Sequence, residues 1–250
     1  MLIIRREQID IFRQSVRLNF ENNMVKHLRD FTPGHSEALG EDGLRKVIRQ
    51  GIKSAETYGL TDYGPVRFYI ELMFILGSDF DTDCQFPWAS HILADPEIVD
   101  QTERADALFD KAMDYLKEVA GPERKYAKES LRRASQQSFK DLGGIKENLE
   151  TEILAWFRKN YPQKCRYVGE QPLHDLIRRA AALARKIAVS NSAGVVLCAC
   201  FMFMLGHGFA EDPLYPWCKK TLNDENITDP NKRLERLHSK GIAYISKVLE

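Results

Sequence analysis

No stretch of this chain is apolar for long enough to cross a bilayer. The longest run, Ala193 to Leu205, has Gly194 inside it and Gly206 directly after it, and it falls short of the roughly 20 residues that a membrane helix needs. The opening Met-Leu-Ile-Ile-Arg-Arg has too few apolar residues for a secretory leader, so a cytoplasmic protein is expected. Cysteine is scarce: five residues, Cys84, Cys165, Cys198, Cys200 and Cys218, an odd number with no Cys-x-x-Cys pair. That excludes a disulfide framework or a zinc knuckle and leaves reduced core thiols. Sustained period-two alternation is missing, which excludes a substantial sheet. Without strands no glycine-rich phosphate loop can follow one, and no Ser or Cys sits in a readable nucleophile elbow. The six histidines are scattered, with no pair at helical metal-ligand spacing. Net charge is zero, and the basic, aromatic-rich stripe expected of a nucleic-acid binder is absent.

What remains is ordinary globular material: 250 residues, 44% apolar and 29% charged, a length at which chains divide into two units. The charge is unevenly distributed. Residues 1–121 carry 14 Lys+Arg against 21 Asp+Glu, a net of −7, and residues 122–250 carry 22 against 15, a net of +7. Opposite signs on the two halves would help them dock, or would present one acidic and one basic face to different partners.

Sliding the chain by 129 positions aligns residues 29–121 with 158–250 without a gap and matches 26 of 93 pairs, where composition alone gives about six. The strongest block pairs Met73, Phe74, Leu76, Gly77, Phe80, Asp83, Pro87 and Trp88 with Met202, Phe203, Leu205, Gly206, Phe209, Asp212, Pro216 and Trp217. The reading is an all-α protein made of two tandem copies of a four- to five-helix unit, residues 1–121 (acidic) and 122–250 (basic), joined at Gly121-Pro122.

Helical periodicity supplies the elements. Ile9, Phe12, Val16, Phe20, Met24, Leu28 and Phe31 recur every three or four residues, predicting one long amphipathic helix with this stripe on the core, ended by Thr32-Pro33-Gly34. Leu44 to Tyr58 carries a second stripe, stopped by Gly59. Pro65 to Leu76 is apolar nearly all round and predicts a central helix closed by Gly77. A long connection with a helical piece near Trp88 to Leu93 leads to a charged helix, Thr102 to Ala120. In the second copy Gly143-Gly144 is expected to split the first helix into Glu123 to Leu142 and Ile145 to Tyr161.

Three features could carry chemistry. Asp79, Asp81 and Asp83 alternate as at the start of a calcium loop, but Cys84 stands where the loop needs Gly and Ser90 where it needs a bidentate Glu. Of the three acids the second copy keeps only Asp212. No metal and no cofactor are expected, and this acidic loop is the expected partner contact. Phe80, Pro87 and Trp88, with their twins Phe209, Pro216 and Trp217, are expected to clamp a long loop onto the helices, since a unique partner site need not be duplicated. His207, followed by Glu211 and Asp212, is the histidine best placed for acid–base work, though a loop histidine bonded to a neighbour is the simpler reading. Arg132, Arg133, Arg178 and Arg179 are expected on solvated faces or in bridges to the acidic half.

Gly59 to Trp88, centred on Gly-Pro-Val-Arg-Phe-Tyr-Ile-Glu-Leu-Met-Phe, resembles a family of proteobacterial all-helical proteins that accompany type VI secretion effector and spike components. Phe20 to Leu28 and Gly206 to Trp217 carry the same resemblance. It implies a context and no catalytic residues. The expected function is therefore that of a non-enzymatic protein-binding protein: an immunity protein neutralising a co-encoded toxin, or a chaperone or adaptor loading an effector on the spike. A metal- or ligand-binding enzyme using the Asp-rich loops is the third reading.

Overall fold

A helix ending leaves its last carbonyls without partners, and the chain must turn where the backbone can do so cheaply. In the computed structural model of the protein, residues 5–136, 138 and 148–249 are described, and they form twelve α-helices with no strand among them. The first five are α1 (Arg6–Phe31), α2 (Pro33–Thr57), α3 (Tyr63–Leu76), α4 (Pro87–Ala94) and α5 (Gln101–Tyr115), the last extended by a π-turn, Leu116–Ala120. After Gly121 and a 3-10 turn come α6 (Lys125–Ser135), α7 (Leu149–Asn160), α8 (Pro162–Val168), α9 (Glu170–Lys186), α10 (Ser192–Leu205), α11 (Pro216–Leu222) and α12 (Pro230–Leu249). None of the helices is long and apolar enough to cross a membrane.

The starts and stops follow local chemistry. Pro33, Pro87, Pro162 and Pro216 each open a helix, where the missing N–H has no partner to lose. The Asp100 carboxylate accepts from the Thr102 and Glu103 N–H groups and so caps α5. Gly77 (φ 103°) closes α3 and Gly206 (φ 100°) closes α10 in the same left-handed region. One continuous core runs through the molecule, with α3 and the almost wholly buried α10 at its centre. The α2–α3 contact depends on Gly51, where a Cβ would stand 2.5 Å from Ile70 and 2.8 Å from the Met73 sulfur.

Several expectations need correction. Ile9, Phe12 and Val16 are exposed; among the described residues α1 has covered side chains only from Phe20 onward, including Met24 and Leu28, where α2 and α3 pack along it. Pro33-Gly34 ends one helix and immediately begins the next, and the real interruption of α2 is Gly40 (φ 65°), mirrored by Gly169 (φ 83°) between α8 and α9. The third helix starts at Tyr63, two residues ahead of Pro65. Gly143-Gly144 lie outside the described residues; on either side of them α6 stops at Ser135 and α7 starts at Leu149.

Candidate functional site

The loops that leave α3 and α10 cross backbone to backbone. A Cβ on Gly77 would lie 2.6 Å from the Leu205 carbonyl oxygen, and one on Gly206 would lie 3.1 Å from that of Leu76. Only glycine fits at both points, and both hold a positive φ that other residues resist. Six residues beyond each glycine an aspartate turns inward and reaches across. Asp83 accepts from the Gln85 N–H of its own loop at 2.9 Å and from the His207 N–H of the other loop at 2.8 Å. Asp212 accepts from the Leu214 N–H at 2.8 Å and, across the crossing, from the Ser78 N–H at 2.9 Å and its hydroxyl at 2.6 Å. The two carboxylates thus exchange hydrogen bonds reciprocally at matching positions. Burial pushes the Asp212 carboxyl up to about 6, against the pull of the Ser78 and Leu214 donors.

Lys164, which is buried, and His35, which is half-buried, stand 129 positions apart and are two further polar groups within the fold. Lys164 donates to the Phe203 carbonyl and sits 4.5 Å over the Phe203 ring and 5.6 Å from that of Phe86. Burial brings its ammonium down to about 8, while the charge of Asp83 opposes that shift. His35 bonds the Tyr244 hydroxyl and lies edge-on to Phe74 at 6.0 Å; burial lowers it to about 4, so the ring is neutral. Nothing in the sequence marks either residue as covered, because the Phe86 ring near Lys164 and the Tyr244 hydroxyl beside His35 come from the opposite half.

The expected site residues are divided by the fold. Asp83 is buried with both oxygens occupied, so it offers nothing to a partner. Asp79 and Asp81 are half-buried; burial raises the Asp79 carboxyl, and Asp81 accepts from the Tyr58 hydroxyl at 2.8 Å. His207 turns away from Glu211, which instead pairs with Lys219 at 2.7 Å. Its Nδ1 faces the Arg179 guanidinium at 2.6 Å, which makes it the acceptor and leaves Nε2–H toward the Thr82 hydroxyl at 3.3 Å. Asp79, Asp81, Thr82, His207 and Arg179 therefore form a polar cluster over the crossing, Thr82 and Arg179 exposed and the other three half-buried.

Phe80 and Phe209 are fully buried, at 4.9 Å from Tyr69 and 5.5 Å from Phe201. Pro87 and Pro216 are exposed helix openers, while Trp88 and Trp217 are half-buried, their indole N–H groups without a hydrogen-bond partner among the described residues. The residue ahead of each proline meets a tyrosine of the last long helix of its half at right angles. Phe86–Tyr115 and Tyr215–Tyr244 both have centroids 5.4 Å apart. Arg133 caps the Asn160 carbonyl at 2.8 Å, Arg178 pairs with Asp175, and Arg132 is exposed. Cys165 and Cys198 are held as thiols by burial, at about 11 and 12. Among the described residues no three His, Cys, Asp or Glu side chains converge as a metal's ligands would. Comparison of the chain with family models, with characterised proteins and with solved structures finds no match.

Proposed function

We propose that the chain is a non-enzymatic protein-binding protein, built as two copies of one helical unit over residues 1–121 and 122–250. In the setting that its resemblance implies, it is a cytoplasmic immunity protein that neutralises a co-encoded type VI secretion toxin by direct contact. One observation carries the reading: the central carboxylates, the kind of group a catalyst would leave open to substrate, are consumed in holding the two loops together. The duplicated plan draws support from the gapless repeat and from the paired features at 129-residue spacing, Gly77 with Gly206, Asp83 with Asp212, and Gly40 with Gly169. The cluster formed by Asp79, Asp81 and Thr82 with His207 and Arg179 is the contact surface, its acids suited to a basic toxin cleft.

Co-expression with the neighbouring gene products tests this. The partner toxin should co-purify and the host should survive it, and Asp79→Lys with Asp81→Lys should weaken the complex at least tenfold with the fold intact. A toxin that accumulates only alongside this protein and stays active would instead indicate effector loading.

A further inference from the structure

In the second half of the molecule α6 lies in a groove between α7, α10 and α12. Its small residues Ser130 and Ala134 are buried there, and Ala134 shares with Trp156, Met204, His238 and Ile242 a cavity of only about 20 Å³. Arg133 of the same helix closes the end of α7. Counting back 129 residues turns these walls into α1, α3 and α5, and among the described residues no helix fills the corresponding place. The groove there stands open: Phe31 is 40% exposed, Ile75 36%, Phe109 49% and Met113 46%, and Phe68 packs on Phe109 at 5.7 Å to make the patch continuous. Asp106, Asp110 and Asp114 form an exposed acidic row along α5 beside it.

The same chain carries a helix end that no other described helix covers. Over residues 6–19 every described side chain of α1 is exposed, with Ile9 at 38%, Phe12 at 69% and Val16 at 52% forming a single stripe. At about 1.5 Å per residue this arm is about 21 Å long, against about 16 Å for α6. It bears Arg6, Arg13 and Arg17 against Glu7 and Asp10, with Arg5 directly ahead of it, and α6 is likewise basic, with Lys125, Lys128, Arg132 and Arg133 against Glu129. Basic charge on the arm matches the acidic row of α5. The arm cannot fold back onto its own groove, because α1 runs unbroken from Arg6 to Phe31 and Phe20 is anchored on Tyr63 at 5.0 Å.

We propose that two copies of this chain exchange their α1 arms, each arm lying in the α1–α3–α5 groove of the other as α6 lies within the second half, in a twofold-symmetric dimer. The register comes from the duplicated plan proposed above; the exposed arm and the open groove do not depend on it.

Light scattering and sedimentation of the full chain test this, with a mass of twice 28.8 kDa expected at micromolar concentration. An arm variant, Phe12→Asp with Val16→Asp, and a groove variant, Phe109→Asp with Met113→Asp, should each have half that mass with unchanged helical circular dichroism. Both sets lie on the surface, so folding is spared. Mixing the two variants should restore a heterodimer, since one contributes an intact arm and the other an intact groove. A wild-type chain that stays monomeric at 100-fold higher concentration overturns the proposal, whatever other helix the groove accepts. So do variants that remain dimeric, or a mixture that forms no heterodimer. Partner binding lost with the Asp79 and Asp81 changes would leave the dimer mass untouched, so the two readings fail separately.

Discussion

Asp212 receives three donors inside the protein, and an amide in its place can satisfy only some of them. Asp212→Asn turns an –NH2 toward at least one buried donor, so unfolding in urea should show a loss of about 2–3 kcal/mol with the dependence on denaturant unchanged. Lys164 gives a pH signature. Its amine is held at about 8 in the folded chain against an ordinary 10.5. Between those values the unfolded chain holds a proton that the folded one has released, so stability rises with pH across that window. Relative to Lys164→Met, the wild-type chain should gain on the order of 2 kcal/mol between pH 8 and 10.5. A difference between the two curves that stays flat would count against the buried amine. Asp83 and Asp212 were visible in the sequence because they stand 129 positions apart in matching runs, but their inward aim was not: an acidic loop has the same composition whether it faces water or another loop.

Arg104 ties three pieces of chain together, donating to the carbonyls of Tyr58 at 2.6 Å, Asp95 at 3.1 Å and also Ile98. Its counterpart Arg233 reaches two among the described residues, Asp224 at 3.4 Å and Ile227 at 2.5 Å. Arg104→Ala should therefore cost about 2–3 kcal/mol and Arg233→Ala about half that, read as shifts of the urea midpoint. The order of the two effects is the test. At this scale much was legible. Gly59, Gly77 and the apolar run to Leu76 announce their boundaries, since φ restrictions act locally. The α1 arm was misread because periodicity tells which residues share a face and says nothing about whether a neighbour covers it. Gly40 lies in the stretch between Gly34 and Leu44 to which periodicity assigns no helix, so neither the start of α2 at Pro33 nor its break at Gly40 is announced.

Across the whole molecule the core is continuous and the two loops hold each other, so neither half has its polar groups satisfied alone. Calorimetry should show one cooperative transition, and a destabilising change in either half, such as Leu44→Ala or Leu173→Ala, should move it as a unit. Residues 1–121 and 122–250 expressed separately should lack sharp melting until mixed. Two independent transitions would mean that the crossing contributes little to stability.

A unit ending its central helix in glycine and setting an aspartate six residues later is its own complement: what it offers, a twin accepts. If the chain descends from such a unit by doubling, as proposed, the ancestor had the means to meet itself at this crossing, and the Gly121-Pro122 join made that meeting independent of concentration. Once tethered, the partners no longer had to be identical. One was free to drift acidic and the other basic, which is how a chain with no net charge comes to have two poles.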